Sequence, residues 1–353
     1  MRTLSVASIL LYALLMLSPL QLNVALSTET QMLIEEANMS GPYLGLVIPN
    51  SYEMDPLLQS PNFTSSNLFI DFSGRRFRFG TIANKPVILV MTGLSMINAA
   101  ITTQLLLSQF DIEGVVHYGV ARHGNPSLNL ADVVIPRYWS HSALWSWQRY
   151  GNGPEDELPL EKDGDYTREI GYLNVANYTT NVADGSTYDN LLNNIWFQPE
   201  EVFPIDGTPE ERQHSFWVAV DPLYYEISQK LEDLQLERCL NSTTCLPHIP
   251  KVSRVERGTS ASIFLSNAAY RSFLFDKFNI SPLDMESASV ALVCLQQRVP
   301  FIVIRALSSS LSGSGSSDPN EAAKFISLAS KNSVVAVVEF TRQLSLHQQL
   351  ITH

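Results

Sequence analysis

The stretch 282-PLDMESASVALVCLQQRVPFIVIRALS-308 decides how the rest of the chain is read. Asp284 carries the short acceptor side chain that caps helices, so a helix is expected over residues 285–298. Residues 300–306 are apolar and rich in β-branched side chains, as in a buried strand. The chain then collapses into Ser and Gly over residues 308–317. By composition that run is a flexible linker. Linkers join domains, yet only one more helix and an apolar strand at residues 333–340 are expected after it.

The upstream chain repeats the same alternation. Helices are expected over 28–38, 95–110, 222–236 and 266–278. Ile97, Ile101 and Leu105 mark the helical spacing in the second of these. Strands are expected over 43–48, 67–72, 75–82, 86–91, 114–119, 132–136 and 251–256. Strands alternating with helices make an α/β fold with a largely parallel sheet covered on both faces. In such sheets ligands bind beyond the carboxyl ends of the strands. The Ser/Gly run after residue 306 sits at such an end, where small residues suit a lid or a close approach to a ligand. A plain solvated connection is the alternative.

Between residues 145 and 213 the pattern fails, and the polar, acidic, Gly/Asn/Asp-rich stretch reads as a surface insertion. No internal repeat stands out. One domain is therefore expected over 28–353.

The first 27 residues, MRTLSVASILLYALLMLSPLQLNVALS, read as a signal peptide. Arg2 is the positive start, residues 10–17 the apolar segment, and Ala25 and Ser27 the small residues before cleavage. Pro19 and Gln21 interrupt the run, which argues against a stable membrane anchor. No other run approaches the ~20 apolar residues of a span. Secretion leaves other marks. Asn38, Asn62, Asn177 and Asn241 are glycan acceptors by their Asn-x-Ser/Thr pattern, while Pro282 makes Asn279 a poor one. Cys239 and Cys245 bracket a short polar loop and could close a disulfide, and Cys294 lies in an apolar run. The expected location is the secretory pathway, ending outside the cell or in a vacuole.

The chain has 353 residues, is 45% hydrophobic and carries a net charge of -12. A nucleic-acid partner is not expected, since no basic stripe offsets the acid. Arg75, Arg76 and Arg78 form the one basic knot and fit a solvated hairpin. His117, His123 and His141 lack the spacing of a metal site, and no cofactor is expected.

The opening stretch, together with 45-GLVIPNSYEMDPLLQSP-61, 91-MTGLSMINAAITTQLLL-107 and 117-HYGVARHGNPSLNLADVVIPRYWSHSALWSWQRYG-151, resembles the nucleoside phosphorylase superfamily. Within it the chain looks like the plant bark and vegetative storage proteins, which in turn resemble bacterial methylthioadenosine and S-adenosylhomocysteine nucleosidases. The resemblance implies a three-layer α/β/α sandwich around a mixed, partly closed sheet, and a homo-oligomer.

It also implies roles. Cleaving a purine–ribose bond needs a proton for the leaving base, an activated water, an acceptor for the sugar hydroxyls and a flat surface for the base. Glu286, beside Met285, matches the ribose-binding carboxylate; a Glu in a helix's first turn is also favoured by the dipole. Glu53 matches the water-activating carboxylate. Phe264 and Leu265 match the base-packing pair, or are core residues. Gly119 and Arg122 lie in the loop at the pocket.

Two departures weaken catalysis. Active relatives follow Arg-Ala-x-Ser with the Asp that protonates the purine, and here Ser309 takes that place. A hydroxyl cannot serve as an acid at neutral pH as a carboxyl can. Asp318 could reach the site only by a swing of the Ser/Gly loop. Arg122 replaces a small residue, commonly Gly, and would intrude on the pocket or fix an anion there. Val120 stands where catalytic members carry Ser or Thr, and His117 where phosphorolytic members carry a phosphate-binding Arg. Three readings follow: a storage-type protein with weak or no catalysis, a purine-nucleoside N-ribohydrolase or phosphorylase, and a non-catalytic nucleoside- or adenine-binding protein.

Overall fold

The computed structural model describes residues 26–147, 169–172, 194–308 and 319–351. The expected signal segment therefore lies almost wholly outside the described residues, as do Asn177, Ser309, Asp318 and much of the insertion. Ser27, the last residue of that segment, caps the helix Thr28–Asn38 by accepting from the Thr30 N–H at 3.1 Å.

Along the chain the strands are β1 Tyr43–Ile48, β2 Phe63–Phe72, β3 Arg75–Ile82, β4 Lys85–Met91, β5 Ile112–His123 and β6 Val133–His141. The insertion holds β7 Trp145–Trp147, β8 Glu169–Tyr172, β9 Asn194–Phe197, β10 Glu200–Val202 and β11 Gln213–Ser215. Then come β12 Val218–Ala219, β13 Cys239–Asn241, β14 Thr244–Cys245, β15 Val252–Ser260, β16 Ile280–Asp284 and β17 Phe301–Leu307. Ten of them form one mixed sheet in the order β12-β6-β15-β16-β5-β1-β4-β3-β2, with β17 bridging β5 and β6. Strand β17 runs parallel to β5 and antiparallel to β6, which closes β5, β17, β6, β15 and β16 into a ring. The remainder, β1 to β4, fans out as an open sheet.

Period-two alternation along β1 shows how the layers arise. Leu44, Leu46 and Ile48 enter one buried cluster, which also takes Phe340 and Val337 of the helix Pro319–Ile351. Tyr43 and Val47 enter the other, with Ala99 of the helix Met96–Gln109 and Val290 of the helix Ser287–Gln297. Helices thus cover both faces, giving the expected α/β/α layering around a partly closed sheet.

Four expectations need correction. Residues 333–340 are not a strand but the middle of the helix Pro319–Ile351. Val334, Val337, Phe340, Thr341 and Leu344 are buried at helical spacing, so packing on one face overrides the β-branched composition. The helix expected over 222–236 stops at Ile227 and passes through a 3₁₀ turn, Ser228–Leu231. The helix expected from 285 opens at Ser287 instead. Asp284 ends β16, a strand missed because Pro282 lies within it. Its Oδ1 still accepts from the Glu286 and Ser287 N–H groups at 3.1 and 3.0 Å. Finally, the insertion is not polar throughout: Phe197 of β9 is fully buried against Phe278.

The basic knot is the β2–β3 hairpin, turned by Ser73 and Gly74 at positive φ. There Arg76 is spent on exposed Asp71. Cys239 and Cys245 form a disulfide across β13 and β14, and Cys294 is a buried free thiol. Asn241 sits at the exposed tip of that hairpin, Asn62 is exposed, and the Asn38 amide ties Gln109 O and Asp111 N. Among the described residues no helix is long and apolar enough to cross a membrane, and no His/Cys/Asp/Glu group is placed to hold a metal.

Candidate active site

The carboxyl ends of β1, β16 and β17 lie along β5, with those of β4 and β15 one strand further out beside β1 and β16. The Thr92 and Gly93 N–H groups donate to Ile48 O and Pro49 O, which holds the loops after β1 and β4 together. The loop after β1 turns at once into the helix Ser51–Leu58, and Glu53 in its first turn points back into the protein. The loop after β4 leads to Ser95, whose φ of 83° is strained for a residue with a side chain. That strain aims its N–H at Glu286.

Arg305 organises the cluster. It is fully buried near the end of β17, and its Nε lies 2.7 Å from Asp284 Oδ2. Its Nη2 donates to Ser287 Oγ at 3.0 Å and to His117 Nε2. Its guanidinium stands 3.8 Å from Glu53 Oε1 and 3.7 Å from Glu286 Oε2. His117 Nδ1 faces the carbonyl of Val47 at 2.8 Å and must therefore donate, leaving Nε2 to accept from Arg305. Burial, then the adjacent Arg305 charge, push His117 down to about 3, so it is neutral. Burial alone would raise Asp284, but the Arg305 charge and the Ser260 and Ser287 hydroxyls hold it below the usual carboxylate range.

Both carboxylates named from the sequence, Glu286 and Glu53, enter this cluster. Glu286, 4% exposed, accepts from Ser95 N at 2.9 Å and from Met285 N at 3.3 Å, and burial raises its pKa despite Arg305. Glu53, 2% exposed, accepts from Val120 N at 2.7 Å through Oε1, while its Oε2 meets no partner. Burial pushes Glu53 up to about 7, against the pull of Arg305 and the Val120 N–H. A carboxyl of that kind can exchange a proton with water at neutral pH.

Glu53 carries a stability consequence. Its folded value lies above the reference 4.5, so the bound proton contributes stability present below about 4.5 and lost as pH rises through about 7. Glu53→Gln keeps the acceptor for Val120 and removes the titration. Its urea midpoint, relative to wild type, is expected to be higher at pH 8 than at pH 5. The difference should reach up to about 3 kcal/mol, and equal offsets at the two pH values would contradict the assignment.

Gly119 earns its place by close approach. A Cβ there would lie 2.2 Å from Glu53 Oε1 and 2.5 Å from Arg305 Nη1. Gly119→Ala is expected to cost about 1–3 kcal/mol in urea unfolding, because Glu53 and Arg305 must both move.

The base side is different. Phe264 lies in the loop after β15 and is 69% exposed. The Arg122 guanidinium sits 4.6 Å over its ring centroid. Leu265 packs instead against the satellite core of Tyr270 and Leu274. Arg271 pins this loop to β5 by donating to His123 O, Leu265 O and Ser266 O. Ser308 N and Oγ both donate to Ala121 O, at 2.8 and 3.1 Å. The residue before Ser309 is thus fixed beside the strand that carries Arg122.

Sequence reading did not single out Arg305, Asp284, Ser287, Ser260 or Ser95 for the site. Arg305 was findable as a charge inside the apolar run FIVIRAL, which needs buried partners. Ser95 acts through its N–H and a positive φ, which leave no mark on side-chain pattern.

The sequence profile described as the phosphorylase superfamily matches residues 43–342. Bark storage protein A of Populus deltoides is 29% identical over 307 residues, covering 85% of this chain and 88% of that one. A 5'-methylthioadenosine/S-adenosylhomocysteine nucleosidase of Bacillus thuringiensis is 26% identical over 276 residues, covering 78% of this chain and 82% of its own. Among solved structures, futalosine hydrolase of Helicobacter pylori superposes with a TM-score of 0.56 at 16% identity, covering 86% of this chain and 98% of that one. The Neisseria meningitidis nucleosidase in complex with methylthio-immucillin-A gives 0.55 at 17% identity, covering 85% and 98%. These structural likenesses speak to the fold.

Proposed function

Because this chain belongs to the phosphorylase superfamily, we propose that it is a secretory-pathway protein of the bark-storage type that keeps a nucleoside or adenine pocket but cleaves nucleosides weakly or not at all. The relatives named bark storage proteins support the storage-type reading. The observation that carries the catalytic part is the Arg122 guanidinium lying on the Phe264 ring, the surface a purine would need. Ser309 in the proton donor's place points the same way. The N-terminal 27 residues and the Asn-x-Ser/Thr acceptors support delivery outside the cell or to a vacuole.

A second reading, a purine-nucleoside N-ribohydrolase, is favoured by one feature. Glu53 titrates near neutrality and has a free Oε2, as a water-activating base should. Hydrolysis is preferred to phosphorolysis within that reading, because neutral His117 offers phosphate no charge. The ligands in complexes of the related nucleosidases are nucleoside analogues, which supports a nucleoside-class ligand here.

The test is free-base release from adenosine, inosine and methylthioadenosine, with and without phosphate, beside calorimetry with adenine. Slow or absent release with saturable adenine binding is expected. Robust turnover would overturn the storage-type reading in favour of the hydrolase. For the compartment, the mature chain from a eukaryotic secretory host should begin near Thr28 and lose mass on deglycosylation. A chain retaining Met1 and carrying no glycan would sink that part.

A further inference from the structure

Along β5 the neighbouring charge changes sign: Val120 N holds Glu53, and two residues on Arg122 lies on Phe264. Glu53, Glu286 and Asp284 line the sugar end and share Arg305 as countercharge. At the base end stand two guanidiniums, Arg122 and Arg271. Burial and the neighbouring Arg122 charge lower the pKa of Arg271. Arg271 spends its donors on three neutral carbonyls. Among the described residues neither cation forms an ion pair with a carboxylate, although the chain carries a net charge of -12. Arg122 is half-buried, and no described acceptor meets its five N–H groups.

A half-buried guanidinium with open donors is an anion site that also has a flat face. Arg122 presents that face at the aromatic ring, where a planar base would stack. A phosphate on the sugar would instead meet the carboxylates of the other end and be repelled. We propose that Arg122 makes the base end selective for a nucleoside whose planar base carries negative charge at neutral pH, over its neutral analogues. This rests on reading the cluster as a nucleoside pocket.

The experiment is calorimetry on the full mature chain at pH 8 and low salt with xanthosine, inosine and adenosine. The dioxo base of xanthosine is ionised under these conditions, and the other two bases are neutral. Xanthosine is expected to bind about tenfold more tightly than inosine, the scale of one charge-assisted hydrogen-bonded contact. Arg122→Gln should bring the ratio of xanthosine to inosine affinity down to about one, whatever happens to inosine affinity itself, and Arg122→Lys should keep part of the ratio. Equal affinity for xanthosine and inosine, or a preference that survives Arg122→Gln, overturns this inference alone. Failure of all three nucleosides to bind overturns it together with the pocket reading.

Discussion

A chain carrying Ser309→Asp together with Arg122→Gly is expected to release base from inosine or methylthioadenosine ~10²–10⁴-fold faster than wild type, the usual worth of a placed general acid. On the proposed reading, the carboxylates that would serve the sugar and the water are already in place. Glu286 is held by Ser95 N and Met285 N, and Glu53 by Val120 N. On the same reading, the chain lacks a proton donor for the leaving base, and Arg122 covers a face of Phe264. Ser308, the residue before position 309, is fixed on Ala121 O of β5. Ser309→Asp alone should gain less, because Arg122 still lies on the ring. Glu53→Gln in the doubly substituted background should abolish the gain. A double variant no faster than wild type would mean that the missing acid is not the defect.

Arg305→Met is expected to destabilise the protein by ~3–5 kcal/mol at pH 7, the cost of stranding buried charge when one partner is removed. Met fills much of the volume, so the loss reports charge more than cavity. Asp284, Glu286 and Glu53 would remain, all nearly inaccessible and without their common cation. His117 would lose the donor to its Nε2. The penalty should shrink as pH falls and those carboxylates take up protons. Urea unfolding at pH 7 and pH 4.5 measures both. A loss under about 1 kcal/mol at pH 7 would show that Arg305 is not the hub.

The residues legible in the sequence are those whose chemistry is local. The run 282–308 announced a helix and a buried strand, and the structure has both, as Ser287–Gln297 and Phe301–Leu307; the Ser/Gly run that follows lies outside the described residues. Glu53 and Glu286, 233 positions apart in the numbering, are buried around one arginine. What was not legible depends on packing or backbone. The run 333–340 has the composition of a strand, and only its one-sided burial in a long helix shows otherwise. Ile280–Asp284 hid behind Pro282, and Ser95 contributes an N–H through a strained φ. Gly119 and Arg122, expected in a loop, lie in strand β5, and Arg122 stacks from there on a loop ring 142 positions on, where an exposed aromatic gives no sign of what will cover it. Sequence reading left open whether Arg122 intrudes or fixes an anion. Its position over the ring and its open donors are compatible with both.

On the proposed reading, this scaffold retains the carboxylate half of a nucleosidase site without effective protonation of the base. The measurement is a single-turnover assay with protein in large excess over methylthioadenosine or inosine and at concentrations where the rate no longer rises with protein, so that neither product release nor weak binding hides the chemical step. The wild-type chain is predicted to release base far more slowly than the ~1 s⁻¹ lower edge of ordinary enzymes. Conversion at or above that rate would contradict it, and would place a working proton donor in this site after all.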